Sequence, residues 1–344
     1  MIQLAANKQH VYSSIDLFSG IGGIRLGFQE AFDPENKGLF TVKRACEISS
    51  QSRKTYKANF DTPVDIFEDI TTTCVNKYCK ADICMAGFPC QTFSKAGKRE
   101  GFDDKRGILY KNVVQICRRW KPLVIFCENV KELSTRDKGN ALKQIVEDLA
   151  MNGNYDVYHD VLNSKNFGVP QNRMRLYIVA FRKDLNIKQF DFPHNYGEPA
   201  SIGKILEKGP VAERYYLSQR YLDTLKRHKK RQQARHNGFG YVVRNLDQIA
   251  GTLVCGGMGK ERNLIYDNRC KPIKDSTNKE FIRAMTPTEW KRLQGFPEDF
   301  EFPVAITCQY TQLANSVTVS VIKAIAEQIK PILDAYWASK TGQI

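Results

Sequence analysis

The first 190 residues alternate short apolar runs with amphipathic stretches, and this rhythm constrains the fold more than any other feature of the chain. The apolar runs predict strands at Tyr12–Phe18, Thr41–Glu47, Ile83–Ala86, Leu123–Cys127 and Leu176–Phe181. The stretches between them predict helices at Gly23–Ala31, Ser50–Asn59, Leu109–Trp120 and Lys138–Met151. Strands that alternate with helices favour an α/β fold with a parallel, doubly wound sheet.

The pattern changes after the segment Asp191-Phe192-Pro193-His194. A basic, helix-like stretch at Ser218–Arg235 is followed by short β-like runs and a glycine cluster at residues 255–259. Helical periodicity returns after Pro287, and Val317–Ile332 is typical of a closing amphipathic helix. We therefore expect one domain from residues 1–190, completed by 305–344, a smaller domain from 191–285, and a connecting hinge at 286–304.

The chain is strongly basic. Lys and Arg number 52 and Asp and Glu number 37, so the formal charge is +15. Such a surface attracts polyanions, and nucleic acid is the first partner to consider. The ten cysteines form no C-x-x-C pair and no cluster with zinc spacing, so we expect free thiols, a reducing cytoplasm and no metal. The sequence shows no signal segment and no membrane-length apolar run.

The segment Asp16–Phe28 joins the first strand to the first helix and is rich in glycine. Glycines at such a turn let the backbone approach a ligand at the helix N-terminus. A G-x-G-x-x-G fingerprint that starts at Gly20 places Arg25 at the third glycine, which weakens a pyrophosphate-binding interpretation. Glu47 ends the second predicted strand, where an acid reaches ribose hydroxyls, and Asp69-Ile70 could flank adenine. The pattern favours an adenosine-containing ligand without a pyrophosphate.

A cysteine follows the strand Ile83–Ala86 within the segment Gly87–Ser94. A Cys90 thiol at the C-terminal end of a parallel strand would lie in the ligand crevice, and Pro89 fixes the backbone before it. The basic, glycine-bearing residues 95–102 could close over nucleic acid. By itself this cysteine could equally be a structural loop residue.

Six segments together resemble the DNA (cytosine-5) methyltransferase family, of the kind paired with bacterial restriction systems. They occur in the family's order at Asp16–Phe28, Gly87–Ser94, Glu128–Val130, Gln171–Arg175, Arg283–Phe300 and Gln312–Val317. The resemblance implies a doubly wound mixed sheet of the S-adenosylmethionine-dependent, Rossmann-like type with a smaller DNA target-recognition domain. It also implies that a cytosine is flipped out of duplex DNA, because its carbon 5 is inaccessible inside the helix.

The resemblance assigns four catalytic roles. Cys90 would add to cytosine C6, and Glu128 would protonate or hydrogen-bond N3. Arg175 would hold the cytosine O2, while Arg173 would support the Glu128 side chain. The thiol addition makes C5 nucleophilic enough to accept a methyl group, which the free base cannot do.

The resemblance also implies the residues that bind S-adenosylmethionine. They are Phe18, Gly20, Ile21, Gly23, Glu47, Ile48, Asp69, Ile70, Pro89, Leu109, Asn315 and Val317. Two positions depart from the family's pattern, because Ile48 stands where an aromatic residue is common and Ala314 precedes Asn315 where glycine is usual. We expect apolar packing to replace stacking at Ile48, and a tighter turn at Ala314.

The DNA contacts are expected from Ser94, Lys98, Arg244, Lys260 and Arg262. Arg and Lys can address guanine in the major groove, and nearby glycines permit close approach. The recognition region resembles that of enzymes that methylate CCGG. The basic run Lys226–Arg231 either neutralises phosphates or forms a solvated helix face.

Three other functions stay open at this point: tRNA methylation, an inactive DNA-binding homologue, and a nicotinamide-dependent oxidoreductase. The long insertion after residue 191 favours recognition of duplex DNA over methylation of tRNA. The presence of Cys90, Glu128 and Arg175 disfavours an inactive homologue. The altered glycine fingerprint disfavours nicotinamide. We further expect a monomer in the bacterial cytoplasm that is associated with the nucleoid and has no membrane partner. Its cognate restriction endonuclease would act at the same site without forming a stable complex.

Overall fold

The computed structural model describes residues 9–60, 65–89, 109–238, 240–269 and 277–341. The strands are β1 (Tyr12–Leu17), β2 (Phe40–Cys46), β3 (Asp65–Phe67), β4 (Ile83–Ala86), β5 (Val124–Val130), β6 (Tyr155–Asn163), β7 (Gln171–Asn172), β8 (Met174–Arg182), β9 (Val243–Arg244), β10 (Ala250–Gly251), β11 (Leu264–Tyr266) and β12 (Ile282–Ala284). The α-helices are α1 (Gly23–Phe32), α2 (Ser50–Asn59), α3 (Leu109–Trp120), α4 (Asn140–Ala150), α5 (Ile202–Ile205), α6 (Gln219–Ala234), α7 (Pro287–Leu293), α8 (Ile306–Asn315) and α9 (Val319–Lys340).

The chain divides into two compact units. The first unit comprises Met1–Leu162, Arg175–His194 and Val321–Ile344, and the second comprises Asn163–Met174 and Asn195–Ser320. These bounds differ from the expected ones, because residues 163–174 and 305–320 belong to the second unit. Hydrogen bonds from the Gln171 side chain to Leu293 and Gln294 show why residues near 171 associate with that unit. The functional labels of the two domains stay a prediction.

The first unit is built on a mixed sheet of seven described strands in the order β3-β2-β1-β4-β5-β8-β6. Strands β1 to β5 run parallel, and all six residues of the central strand β1 are buried. The parallel sheet expected from the alternation of strands and helices is correct for β1 to β5, but β8 pairs with β5 in the antiparallel direction. The connection from β6 to its neighbour β8 contains no α-helix, and parallel neighbours need such a crossover. The mixed sheet implied by the family resemblance is confirmed.

Local sequence explains where the helices of this unit begin. The Ser49 hydroxyl accepts a hydrogen bond from the Ser52 amide at 3.2 Å and caps α2. α1 begins after Gly22, whose φ of 87° puts it in the left-handed region. Helix α3 buries Val113, Ile116 and Cys117 against the sheet. The apolar residues whose periodicity predicted these helices therefore form the helix faces that pack on the core.

The second unit contains smaller sheets and helices. Strands β9, β11 and β12 form one sheet in the order β12-β11-β9, and β7 pairs in parallel with β10. The helix α6 packs on the first of these through Leu222 and Leu225, which cluster with Leu264 and Ile282. The Ser218 hydroxyl caps α6 at the Tyr221 amide. The predicted basic helix is thus confirmed. Among the described residues, no helix combines the length and apolar character needed to span a bilayer.

Candidate active site

The turn between β1 and α1 has an unusual backbone. Phe18 and Gly20 both have φ of 55°, and Gly22 has φ of 87°. The Ser19 amide donates to the Cys46 carbonyl at 3.0 Å, and the Gly22 amide donates to the Ser19 carbonyl at 2.8 Å. These bonds hold the turn at the carboxyl ends of β1 and β2, the edge at which doubly wound sheets bind ligands.

Glu47 ties this turn to the start of α2. Its Oε2 accepts from the Gly20 amide at 2.9 Å, and its Oε1 accepts from the Ser49 amide at 2.8 Å. The residue follows β2 directly, instead of ending the strand as expected. Each carboxylate oxygen keeps further acceptor capacity, so the side chain can also bind the hydroxyls of a ribose. The arrangement brings the predicted residues Gly20 and Glu47 together.

Three buried polar side chains close to this turn are linked by hydrogen bonds. The Tyr56 hydroxyl donates to Asp16 Oδ2 at 3.1 Å, and Arg25 Nη1 donates to the Tyr56 hydroxyl at 3.2 Å. The guanidinium of Arg25 also lies 4.1 Å from the centre of the Phe60 ring. Burial raises the pKa of Asp16 to about 7, although the Tyr56 bond and the Arg25 charge oppose that shift. These three side chains support the turn.

Other predicted cofactor residues of the first unit differ in exposure. Ile48 is 72% exposed and offers a bare apolar surface next to Glu47, whereas Ile21 and Ile70 are buried. Asp69 Oδ1 accepts from both the amide and the hydroxyl of Thr71, at 2.8 and 2.7 Å. Gly23 and Leu109 begin α1 and α3. Ile48 therefore presents apolar surface to solvent, whereas the side chains of Ile21 and Ile70 are part of the core.

A residue of β5 holds the main-chain segment that leads to the predicted nucleophile, Cys90. Asn129 Nδ2 donates to the Phe88 carbonyl at 3.1 Å, and Asn129 Oδ1 accepts from the Val130 amide at 2.9 Å. Pro89 is the last described residue before Cys90. Cys90, Ser94 and Lys98 lie outside the described residues. Asn129 thus positions the segment that immediately precedes Cys90, a role that the sequence analysis did not assign to it.

Two predicted catalytic residues meet across the sheet. Arg175 Nε lies 3.2 Å from Glu128 Oε1, and the two side chains are only 14% and 13% exposed. Antiparallel pairing of β5 with β8 sets Val130 opposite Arg175 and Glu128 opposite Tyr177, so the acid and the arginine are diagonal neighbours. Glu128 lies inside β5, which extends to Val130 beyond the predicted strand end.

In the second unit, Arg173 is almost fully buried and donates to main-chain carbonyls. Its Nη1 bonds Leu253 O at 3.3 Å, and its Nη2 bonds Ala314 O at 3.0 Å and Ser316 O at 2.6 Å. The guanidinium therefore fastens residues near 253 to the turn that carries Asn315. Support of Glu128 by Arg173 stays a prediction.

The remaining predicted residues of the second unit differ in exposure. Asn315 is exposed, and its Oδ1 accepts from the Cys255 thiol at 3.2 Å, while Val317 is buried. Lys260 and Arg262 are exposed and flank Glu261. Arg244 is partly exposed in β9, and its Nε is buried without a hydrogen-bond partner among the described residues. The predicted base-reading cations thus lie on one short segment and a neighbouring strand.

Comparison with known proteins identifies the family. The model of a family described as C-5 cytosine-specific DNA methylase matches residues 12–331. The chain belongs to this family. The methylase transfers a methyl group from S-adenosylmethionine to carbon 5 of cytosine in DNA, and it resembles restriction-modification enzymes throughout its length. The function and the cofactor predicted from the motifs are confirmed.

Several relatives support this assignment. The type II methyltransferase M.HpaII of Haemophilus parainfluenzae is 44% identical over 333 residues, which cover 94% of the methylase and 90% of the relative. M.NlaX of Neisseria lactamica is 40% identical over 326 residues, with 94% and 98% covered. The solved structure of the Entamoeba histolytica methyltransferase EhMeth has a TM-score of 0.72 at 20% identity, covering 95% of the methylase and 99% of that chain. This last likeness shows the common fold.

The first unit of the methylase fits the adenosine part of S-adenosylmethionine. An added Cβ at Gly20 would meet no atom within 4 Å, so the space beside this turn is open. The Ser19 hydroxyl is buried without a hydrogen-bond partner among the described residues. Together with the Glu47 carboxylate and the exposed Ile48, these groups offer polar contacts to a ribose and apolar contact to a purine.

The second unit of the methylase contains a buried ion network that was not predicted from the sequence. Arg283 Nε donates to Asp267 Oδ2 at 2.8 Å, and its two terminal nitrogens bond both oxygens of Glu289 at 2.8 and 2.7 Å. Burial favours the neutral form of Asp267, but bonds from Arg269 and Arg283 outweigh it and hold the pKa of Asp267 below its usual range. The spacing Thr286-x-x-Glu289, a capping box that begins α7, was the available signal for Glu289.

Proposed function

We propose that this methyltransferase modifies a cytosine within CCGG and so protects DNA from a cognate restriction endonuclease. We also propose that it acts as a monomer in the bacterial cytoplasm and does not form a stable complex with that nuclease. The observation that carries the proposed chemistry is the position of β5. Its Glu128 is paired with Arg175, and its Asn129 holds the segment that leads to Cys90.

The proposed reaction begins when the Cys90 sulfur forms a bond to cytosine C6. Glu128 supplies a proton or a hydrogen bond to N3, so that electron density from the addition is accepted there and C5 becomes nucleophilic. S-adenosylmethionine, when bound, supplies an electrophilic methyl group to C5 and leaves as S-adenosylhomocysteine. A base, which we take to be water, then removes the C5 proton, the thiolate leaves from C6, and N3 returns to Glu128 any proton that it received.

Arg175 serves this reaction in two ways. Its guanidinium orients the Glu128 carboxyl through the 3.2 Å contact, and its remaining N–H groups can donate to the cytosine O2. The polarised O2 and N3 withdraw electrons from C6, where the sulfur adds. Both side chains are mostly buried, so their electrostatic effect on a flipped base is larger than it would be in water.

Cofactor binding is proposed for the turn and the residues that surround it. Gly20 and Phe18 would contact the amino-acid part through the main chain, Glu47 the ribose, and Ile48 with Asp69 the adenine. Pro89, Leu109, Asn315 and Val317 complete the proposed set. Two observations support this assignment. The space beside Gly20 is open, and hydrogen bonds from the Gly20 and Ser49 amides hold the Glu47 carboxylate next to it.

Residues 237–263 resemble the recognition region of enzymes that methylate CCGG, and this likeness supports the proposed specificity. We propose that Arg244, Lys260 and Arg262 make the contacts to the bases. Bisulfite sequencing of DNA from cells that express the protein tests this directly. We expect modified cytosines in CCGG and unmodified cytosines in other contexts. Methylation confined to another motif would overturn the CCGG proposal while leaving the chemistry intact.

The covalent step is tested with duplex oligonucleotides that contain 5-fluorocytosine, because fluorine cannot leave C5 as a proton does. We expect a stable protein–DNA adduct that mass spectrometry locates at Cys90. The Cys90→Ser variant is the matched control, and it should bind DNA without forming an adduct. A crosslink at another side chain would overturn the assignment. Parallel reactions with tRNA should give no methylated product, and efficient tRNA methylation would favour the alternative substrate.

A further inference from the structure

The helix α6 (Gln219–Ala234) concentrates positive charge. Its sequence contains six Lys or Arg residues and a single acidic residue, Asp223, and Arg235 follows at its C-cap. The sequence alone does not distinguish phosphate contact from a solvated face. The structure separates the cations that serve the fold from those that do not.

Two of the lysines have partners within the second unit. The Lys226 ammonium pairs with the Glu280 carboxylate. The Lys229 ammonium lies 4.9 Å from the centre of the Tyr241 ring, which is a cation–π contact. These two charges are therefore occupied by structural interactions.

Three arginines instead form a stripe along the outer face of α6. Arg220, Arg227 and Arg231 are all exposed, and none of them forms an ion pair within the described part of the chain. Their spacing of seven and four residues keeps them within about 40° of each other around the helix axis, at separations of about 10 and about 6 Å along it. Arg227 Nη2 bonds the Thr224 hydroxyl, which lies on the same stripe. We call these three residues the arginine stripe.

The arginine stripe belongs to the same packed group as the recognition segment. Next to Arg220, the Tyr221 hydroxyl donates to Glu261 Oε1 at 2.9 Å, and Glu261 lies between Lys260 and Arg262. Leu222 and Leu225 bury the opposite face of the helix against β11 and β12. The stripe is therefore carried on a helix that is packed on the second unit and hydrogen-bonded to Glu261, between two of the proposed base-reading residues.

We propose that the arginine stripe binds backbone phosphates of duplex DNA, whatever the base sequence. Adjacent phosphates on one strand are about 3.4 Å apart along the duplex axis, so guanidinium groups at the spacing of the stripe address separate phosphates. Exposed arginines without carboxylate partners complement this polyanion, and the protein acts on DNA. The proposal rests on that activity and does not depend on the CCGG target.

The test measures how the affinity of the full chain for a nonspecific duplex oligonucleotide depends on salt. The slope of log K against log salt is negative, and each lost phosphate contact reduces its magnitude by about 0.9, so Arg227→Gln with Arg231→Gln should reduce the magnitude by about 1.8. Between about 0.1 and about 0.2 M salt, the wild type should then lose about 3.5-fold more affinity than the variant. Both positions are exposed and glutamine is a good helix former, so the variant retains α6.

The matched control is Lys54→Gln with Lys57→Gln, which removes the same net charge from exposed positions of α2. We expect this control to keep the wild-type slope, and the pair Arg227→Lys with Arg231→Lys to restore most of it. An unchanged slope in the glutamine variant overturns the proposal. An equal loss in the α2 control also overturns it, since the effect would then be one of net charge. A loss of affinity for single-stranded RNA but not for duplex DNA would assign the stripe to another partner.

Discussion

Arg173 Nη2 lies 2.6 Å from the carbonyl oxygen of Ser316, so a buried guanidinium joins two segments that are more than a hundred residues apart in the chain. The same group bonds Leu253 O and Ala314 O. A side chain that satisfies three carbonyls at once contributes to folding whatever it contributes to catalysis. Arg173 and Arg175, which are paired in the family's motif, therefore have separable functions.

This separation is tested by replacing each arginine with methionine, which keeps the apolar stem and removes the donors. Arg173→Met should lower the free energy of unfolding by about 3 kcal/mol, because each buried carbonyl left unpaired costs about 1–3 kcal/mol and neighbouring groups relax in part. Arg175→Met should cost less, since its partner Glu128 retains some exposure. Urea unfolding curves compare the two variants. Equal losses of stability would contradict the distinction.

Glu128→Gln should lower the turnover number by about 10²–10⁴-fold, because the amide cannot donate the proton that N3 needs. The amide oxygen can still accept from Arg175, so the unfolding midpoint should stay close to that of the wild type. Rapid-quench measurement with saturating DNA and cofactor gives the turnover number. The control is Glu132→Gln, an acid in the turn that follows β5. Near-wild-type turnover in Glu128→Gln would remove this residue from the proposed mechanism.

Much of the first unit could be predicted from the sequence because its apolar residues recur at the spacing of its buried helix and strand faces. The bounds of β4, α2 and α3 agree with the predicted ones residue for residue. The strand β6 was missed because polar residues interrupt Tyr155–Asn163, which has no continuous apolar run and is only partly buried at the edge of the sheet. The direction of β8 was missed because it depends on which strand it lies beside, and local sequence does not encode that.

The candidate site was predictable to the extent that motifs carry it. Glu128 and Arg175 were found from their motifs, but their contact depends on the antiparallel pairing of β5 with β8. The carbonyl partners of Arg173 lie 80 to 143 residues away in sequence, beyond any local pattern. The pKa of Asp267 is lowered by its near neighbour Arg269 and by Arg283, and only the second of these depends on folding to bring it close.

The two glycines of the cofactor turn should respond differently to alanine. At Gly22 the added Cβ would lie 2.2 Å from a Phe60 ring atom, with φ at 87°, so Gly22→Ala should destabilise the first unit severely. At Gly20 nothing lies within 4 Å, so Gly20→Ala should cost only the backbone term of about 1–2 kcal/mol. Thermal unfolding separates these cases. Isothermal titration should then show weaker S-adenosylmethionine binding by the folded Gly20→Ala variant, and undiminished affinity would remove Gly20 from the proposed site.

The ion network around Arg283 should behave as a unit. Arg283→Met leaves the carboxylates of Asp267 and Glu289 without this partner in a buried site, and we expect a loss of about 3–5 kcal/mol. Adding Asp267→Asn and Glu289→Gln to the same chain removes both charges and should recover part of the stability. Urea unfolding of the single and triple variants measures the coupling. A triple variant less stable than Arg283→Met would show that the desolvated charges are not what the arginine compensates.

The buried Asp16 should make stability depend on pH in a direction opposite to that of a paired surface carboxylate. Its pKa is raised by burial from 3.8 to about 7, so the folded chain holds this proton more tightly than the unfolded chain does. Between these two values the folded state binds more protons at Asp16, and the contribution of this residue to stability therefore falls as pH rises.

Asp16→Asn removes this dependence while keeping an acceptor for Tyr56. The stability of the variant relative to the wild type should accordingly increase from about pH 4 to about pH 7, the range that separates the two pKa values. Chemical denaturation at several pH values gives this difference, with Asp184→Asn as the control, because its pKa is lowered by Arg182 and its effect should have the reverse sign at acid pH. A difference between Asp16→Asn and wild type that stays constant with pH would show that Asp16 is ionised in the folded protein throughout.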